Sequence, residues 1–332
     1  MPRPTAFLTG GTGFVGGHVA RALCEEGWAV RAFARRTRAL TEGPLRDLPL
    51  EAVAGDFSEA SWPAVVAALS GCHAIVHVAG LVKARSLAEY REVNVAGTRH
   101  LLEAAGRSAP DALFVLVSSQ AAAGPAVDGR PRTEEGPAQP VSWYGRSKLE
   151  AEQLVEREWK GPWIVLRPAV IYGPGDRGLL TLFTAAARGW VPVPAGGSRI
   201  QLIEAARAAR AIALVAARAD LARRTAFLCD PEPVAISRLA GIIARLPERA
   251  ARLVPMPDVL VRLAGFAATL REALTHRSLA FNADKAREVL AGDWLCEPAL
   301  MQRHLSLPPP SPLEYGLKST WDWYLREGWL VL

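Results

Sequence analysis

Strand-length apolar runs alternate with amphipathic stretches through the first half of the chain. Ala6 to Leu8 within Thr5 to Thr9, Ala29 to Ala34, Glu51 to Val53, Ala74 to Val78, Leu113 to Val117 and Trp163 to Leu166 are too short and too uniformly apolar for surface helices. Between them, Phe14 to Glu26 closed by Gly27, Trp62 to Leu69, Tyr90 to Ala105 and Ser147 to Trp159 show helical periodicity. Buried strands separated by helices predict an α/β protein with a doubly wound parallel sheet, a Rossmann arrangement covered on both faces.

After Arg167-Pro168 the texture changes to Gly173-Pro174-Gly175, the Pro192 to Gly197 loop and long Ala/Leu/Arg segments. We therefore expect a dinucleotide-binding domain over 1–172, with a returning strand near 225–229, and a smaller, mostly helical substrate-binding region over 173–332. The apolar segment Val259 to Leu270 reads as a core helix in preference to the wall of a greasy pocket. Pro308 to Pro310 with Pro312 forms a stiff connection to a last amphipathic helix, Leu313 to Trp329, whose Trp321 and Trp323 are expected to pack.

Half of the 332 residues are hydrophobic and 22% are charged, a balance that excludes a disordered chain. The formal charge is +6 and the pI near 9.4, but the arginines are dispersed through Ala-rich helices instead of forming one tract. That dispersal argues against a nucleic-acid partner, while an anionic cofactor profits from the same charge. No signal-like opening precedes the first strand, and the longest apolar stretch, Ile200 to Ala217, is broken by Arg207 and Arg210, so no membrane span is expected. Cys24, Cys72, Cys229 and Cys296 are scattered, and the six histidines form no ligand spacing. Reduced, buried thiols, no metal and a cytoplasmic location follow as expectations.

The first chemistry-bearing motif is Thr9-Gly10-Gly11-Thr12-Gly13-Phe14-Val15-Gly16, placed between a strand and a helix. Glycines there let the backbone turn, approach a pyrophosphate and pack the helix on the strand, and the helix N-terminus favours the phosphates. Gly10, Gly13, Phe14, Val15 and Gly16 are thus cofactor residues. Arg35, at the end of the second strand where a carboxylate would hold the ribose of NAD, suits the 2′-phosphate of NADP, so NADP is favoured over NAD. Asp56 is placed either to contact the adenine or to cap the following helix.

The second motif is Tyr144-Gly-Arg-Ser-Lys148, with Ser119 upstream at the end of an apolar run. Reducing a carbonyl or oxidising an alcohol requires a proton to move at oxygen while a hydride moves at carbon. A phenol with a pKa near 10 needs a neighbouring positive charge to serve near neutrality, and Lys148, one helical turn on, is expected to supply it and lower that pKa. Ser119 is expected to hold the substrate oxygen beside the phenol.

Together with Val76 to Gly80, Asn94 to Thr98, Ser118-Ser119 and Leu166-Arg167-Pro168 through Tyr172-Gly173-Pro174-Gly175, these motifs stand in the order found in the extended short-chain dehydrogenase/reductase superfamily, which the chain resembles to about Gly189. That group includes sugar-nucleotide epimerases, 3β-hydroxysteroid dehydrogenases and dihydroflavonol reductases. The resemblance implies that Tyr144 is the catalytic acid/base, that Lys148 bonds the nicotinamide ribose, and that Ser119 orients the substrate. It implies that Ala79 and Gly80 line the cofactor, that Asn94 supports the active-site helix, and that Pro168 to Val170 flank the nicotinamide. It also implies a homodimer formed through helices near Tyr90 to Ala105 and Ser147 to Trp159.

Gln120 and Ala121 stand where the superfamily's dehydratases carry an Asp-Glu pair, which disfavours dehydration. Arg35 disfavours an NAD-retaining epimerase, and Arg199 to Arg207 departs from the family's usual sugar-nucleotide stretch. Val30 to Arg35 is similar to the same run in reductases of hydrophobic carbonyls. The reading that follows is an NAD(P)-dependent oxidoreductase interconverting a secondary alcohol and a ketone on a fairly apolar, steroid- or isoprenoid-like small molecule. Its alternatives are a sugar-nucleotide epimerase with retained NAD and a non-catalytic dinucleotide-binding subunit.

Overall fold

The computed structural model describes residues 3–56, 61–279 and 281–330. Six strands, β1 (Thr5–Thr9), β2 (Ala29–Ala34), β3 (Leu50–Ala54), β4 (Ala74–His77), β5 (Leu113–Val117) and β6 (Trp163–Pro168), are joined by a returning strand, Arg224–Leu228, in one seven-stranded sheet. The spatial order is returning strand, β6, β5, β4, β1, β2, β3, and every neighbouring pair is parallel. β4 and β5 are buried along their whole length, which is why they read as unbroken apolar runs and show no alternation. Phe7, Ile75, Phe114 and Leu116 point to one helical layer with Leu101 and Leu154; Leu8, Val76, Val115 and Leu166 point to the other with Val19, Leu23 and Ile212.

The strand order reverses between β1 and β4, and in open α/β sheets ligands bind beyond the carboxyl ends of the strands at such a point. The residues nominated for chemistry from the sequence lie on loops or helices that leave those ends or, for Pro168 and Val170, at the end of β6 and the start of the next short strand.

The division near residue 172 is crossed by the fold. The helix Ala205–Val215 packs with Phe14–Glu25 in the layer over β1, and Arg224–Leu228 extends the main sheet beside β6. The remaining C-terminal chain is helical but also holds three two-stranded sheets, pairing Val170–Tyr172 with Leu202–Glu204, Arg199–Ile200 with Val234–Ala235, and Trp190–Pro194 with Arg252–Met256. Its core gathers Phe183, Val191, Leu239, Ile243, Leu317, Trp321 and Tyr324, so Trp321 packs as expected, and Trp323 lies against Trp329.

One expectation fails outright. The segment Val259 to Leu270 lies in the helix Asp258–Thr275, of which only Val261, Gly265 and Glu272 are buried, so it is neither a core helix nor the wall of an enclosed pocket. Its hydrophobicity faces outward, a choice that residue counts along the segment do not reveal.

Candidate active site

Gly10 follows β1 with φ +75°, a left-handed conformation that favours glycine, and a Cβ there would stand 2.7 Å from the Ala79 backbone nitrogen. Gly16 sits against the same turn: a Cβ on it would lie 2.0 Å from the Gly10 carbonyl oxygen. The two glycines let the loop after β1 press on the loop after β4 and let the helix Phe14–Glu25 start hard against the strand. Gly13 caps that helix in an extended conformation with no side-chain cap, and no acidic residue occupies the first turn. The first amide N–H groups, on Phe14, Val15 and Gly16, therefore stand beyond the carboxyl end of β1 with the positive end of the helix dipole and no competing carboxylate. This donor set fits the pyrophosphate of a dinucleotide. Phe14 packs edge-on to His18, whose Nε2 lies 2.9 Å from the Pro174 carbonyl oxygen, tying the Gly173 to Gly175 turn to the same helix.

Arg35 and Arg36 stand exposed at the carboxyl end of β2. The Asp56 carboxylate accepts a hydrogen bond of 3.1 Å from Ser61 Oγ just ahead of the helix Trp62–Leu69. Pro168 ends β6 and Val170 begins the next short strand, on the side of the sheet where β5 delivers Ser118 and Ser119.

The helix Trp143–Glu158 carries Tyr144 in its first turn and Lys148 in its second. Gly145 admits this approach: a Cβ there would meet the Ala121 carbonyl oxygen at 2.2 Å, so the helix start presses on the Gln120–Ala123 turn that Ser119 caps. The Ser119 hydroxyl accepts the Ala121 N–H at 3.1 Å, on the turn against which the start of the Tyr144 helix presses. Burial pushes the Tyr144 pKa up to about 12; Ser119 pulls against that, and the Glu288 carboxylate adds to it. The expectation that Lys148 lowers the phenol pKa is therefore not what the protein alone displays. The reason is where the ammonium goes: Nζ donates to the Val117 carbonyl at 2.7 Å, at the carboxyl end of β5. Burial depresses Lys148 to about 8, opposed by Glu152.

Around this pair lies a polar frame. Asn94 is buried in a π-helical turn, Glu92–Ala96; it accepts the Leu81 N–H at 2.7 Å and donates to the Leu81 carbonyl at 3.1 Å and to Ser147 Oγ at 2.9 Å. It thereby joins the loop carrying Gly80 to the helix of Tyr144 and Lys148, and such a turn is frequent at functional sites. A Cβ on Gly80 would meet Asn94 Oδ1 at 3.0 Å, so this loop needs glycine to lie over the amide. His77, pushed down to about 3 by burial and then by the Lys148 charge, is a neutral bridge between Thr9 Oγ1 at 2.7 Å and Thr98 Oγ1 at 3.0 Å. One turn beyond Lys148, buried Glu152 pairs with Arg167 at 2.6 Å and accepts the Ser118 hydroxyl.

Two residues of the site escaped the sequence reading. Asp284 accepts the Trp143 N–H at 2.9 Å, and Glu288 accepts the Ser142 hydroxyl at 2.5 Å; both come from the helix Ala283–Val289. Burial raises the Asp284 carboxyl against the pull of those N–H bonds. In sequence, Asn282 to Lys285 looks like nothing more than a helix start, because Asn282 does cap its own helix at 3.0 Å. Cys229 and Cys296, scattered along the sequence, bring their sulfurs within 3.5 Å as free thiols.

The model of the family described as NAD dependent epimerase/dehydratase matches residues 6–227, the greater part of the chain, and reaches into every strand of the seven-stranded sheet. The chain belongs to that family. Within it, the chain is 33% identical to a ceramide reductase of Caulobacter vibrioides over 99% of its own length and 96% of the relative's. It is 33% identical to a 4-hydroxy-2-methyl-3-oxo-4-farnesyl-3,4-dihydroquinoline-1-oxide ketoreductase of Stigmatella aurantiaca, over 55% of this chain and 54% of that one. The human 3 beta-hydroxysteroid dehydrogenase type 7 is 34% identical over 55% of each chain. Among solved structures, the UDP-glucose 4-epimerase of Thermotoga maritima superposes with a TM-score of 0.75 over 97% of this chain and 99% of that one, at 20% identity, a likeness of fold. The protein is thus an extended short-chain dehydrogenase/reductase and an NAD-dependent oxidoreductase by family.

Proposed function

We propose that the protein reduces the ketone of a long, apolar lipid-like molecule to a secondary alcohol, using NADPH in preference to NADH. The single observation that carries this reading is the packing of the helix start that bears Tyr144, a phenol that burial keeps protonated with a pKa up to about 12, on the turn that Ser119 caps. A protonated phenol is an acid, and reduction needs an acid at the carbonyl oxygen. A bound nicotinamide dinucleotide supplies the hydride to the carbonyl carbon. Tyr144 gives its proton to the oxygen, and solvent restores it. Ser119 would hold the oxygen during the transfer, Lys148 would hold a ribose hydroxyl of the cofactor, and the amides of Phe14, Val15 and Gly16 would hold its pyrophosphate.

Exposed Arg35 at the end of β2 supports the preference for the adenosine 2′-phosphate. The apolar substrate is supported by the relatives, named for ceramide, a farnesylated quinoline oxide and a 3β-hydroxysteroid. The test is Tyr144→Phe, assayed over a panel of long-chain ketones by loss of NADPH absorbance. Turnover is expected to fall at least about a hundredfold, while nucleotide affinity, read by fluorescence quenching, stays within a few-fold. Undiminished turnover in this variant refutes the role of the phenol.

A further inference from the structure

The helix Asp258–Thr275 presents an apolar stripe to the outside. Val259, Leu263, Phe266, Leu270 and Leu274 are 60%, 58%, 66%, 54% and 75% exposed. At 3.6 residues per turn they fall within an arc of about 80°. The buried side of the helix, Val261, Gly265 and Glu272, lies on the opposite arc. Exposed Arg262 and Arg271 flank the stripe on its two sides, and exposed Arg277 follows its end. Among the described residues none of these three arginines is ion-paired with a carboxylate. Just ahead of the helix, Leu253 and Val254 are exposed as well.

We propose that this helix lies in the plane of an anionic lipid bilayer, with its apolar stripe among the acyl chains and its arginines at the headgroup phosphates. A narrow apolar face bordered by cations, on a helix too charged to span, is the signature of interfacial insertion, and arginine stems can lie along the apolar layer while their heads reach phosphate. A second copy of the chain is a poorer occupant. The helix's two acidic residues are Glu272, which is buried against Leu279 and Asn282, and Asp258 at the very start, so two stripes meeting face to face would oppose arginine to arginine. An anionic surface answers those charges.

The placement also explains why such a face borders this site. Gly265 packs so closely that a Cβ would meet Ala286 Cβ at 2.8 Å, and Ala286 belongs to the helix whose Asp284 holds the Trp143 N–H beside Tyr144. At the far end of the stripe, His276 Nδ1 lies 3.4 Å from Arg85 Nη1, on the loop that follows Gly80 and exposes Val82. The bilayer thus lies against the mouth through which a lipid ketone would enter. This entry route rests on the reductase reading, whereas docking does not.

The test is flotation of the full chain with vesicles of phosphatidylcholine alone and of phosphatidylcholine mixed equally with phosphatidylglycerol. The wild type is expected to float with the mixed vesicles and to bind phosphatidylcholine at least about tenfold more weakly. Phe266→Glu with Leu270→Glu, and separately Arg262→Gln with Arg271→Gln, are each expected to weaken binding about tenfold or more while thermal melting is unchanged. Tyr144→Phe is expected to float like the wild type, so loss of turnover and loss of docking are read separately. Wild type left unbound, or variants that float as well as it does, overturns the proposal. A lipid-free dimer in sedimentation that Phe266→Glu dissolves also overturns it, since a second copy then covers the stripe.

Discussion

Replacing Lys148 with methionine separates what the buried cation does for catalysis from what it does to stability. Burial moves the ammonium from its ordinary 10.5 to about 8, even with Glu152 pulling the other way. At about 1.4 kcal/mol per pH unit, this difference weighs against folding by about 3 kcal/mol at neutral pH. The sign follows from proton binding: below about 8 the folded and unfolded chains both carry the charge, and the folded one carries it at a disadvantage. As pH rises from about 8 towards 10.5 the folded lysine is already neutral while the unfolded one still holds its proton, and the disadvantage fades. Methionine removes the charge but leaves the Val117 carbonyl without its 2.7 Å bond from Nζ, a loss of about 1–3 kcal/mol. At neutral pH the two effects largely offset one another; methionine does not titrate, so only the first depends on pH. The stability of the variant relative to the wild type is therefore expected to fall by about 2–3 kcal/mol between about pH 7 and about pH 10. Urea unfolding of both proteins at the two pH values, followed by tryptophan fluorescence, measures it. A difference that stays constant, or one that moves in the variant's favour as pH rises, refutes the assignment of Lys148 as a desolvated ammonium.

Two further substitutions test the frame of the site. Glu152→Ala leaves the Arg167 guanidinium buried without its 2.6 Å partner. A loss of about 3–5 kcal/mol is expected in denaturant unfolding, and a loss under about 1 kcal/mol contradicts the pairing. Arg35→Ala is expected to raise the KM for NADPH about tenfold and leave that for NADH nearly unchanged, since only the former carries the 2′-phosphate. Equal effects on both remove the basis for the NADPH preference.

The main sheet was legible because its signals are local. A strand buried on both faces must be apolar throughout, as Leu113–Val117 is, and a loop that must turn within a few residues and admit a phosphate must be glycine-rich, as Gly10 to Gly16 is. Tyr144 and Lys148 were legible for the same reason, one turn of one helix apart. The helix containing them was read too short at its start, since Ser142, whose hydroxyl accepts the Gly145 N–H at 3.0 Å, gives no periodic signal.

By itself the sequence determined the alternation of elements, the glycine-rich turn after β1 and the sharing of one helix by Tyr144 and Lys148, because each depends on residues close together in the chain. Only the tertiary structure decided how those groups are poised. The Lys148 ammonium donates to the Val117 carbonyl, Asp284 and Glu288 reach the helix of Tyr144 from the far end of the chain, and the apolar helix Asp258–Thr275 turns its stripe outward. Burial, charge and partner are set by what packs against a residue, and for these groups the neighbours lie tens to hundreds of residues away, beyond the range of any local pattern.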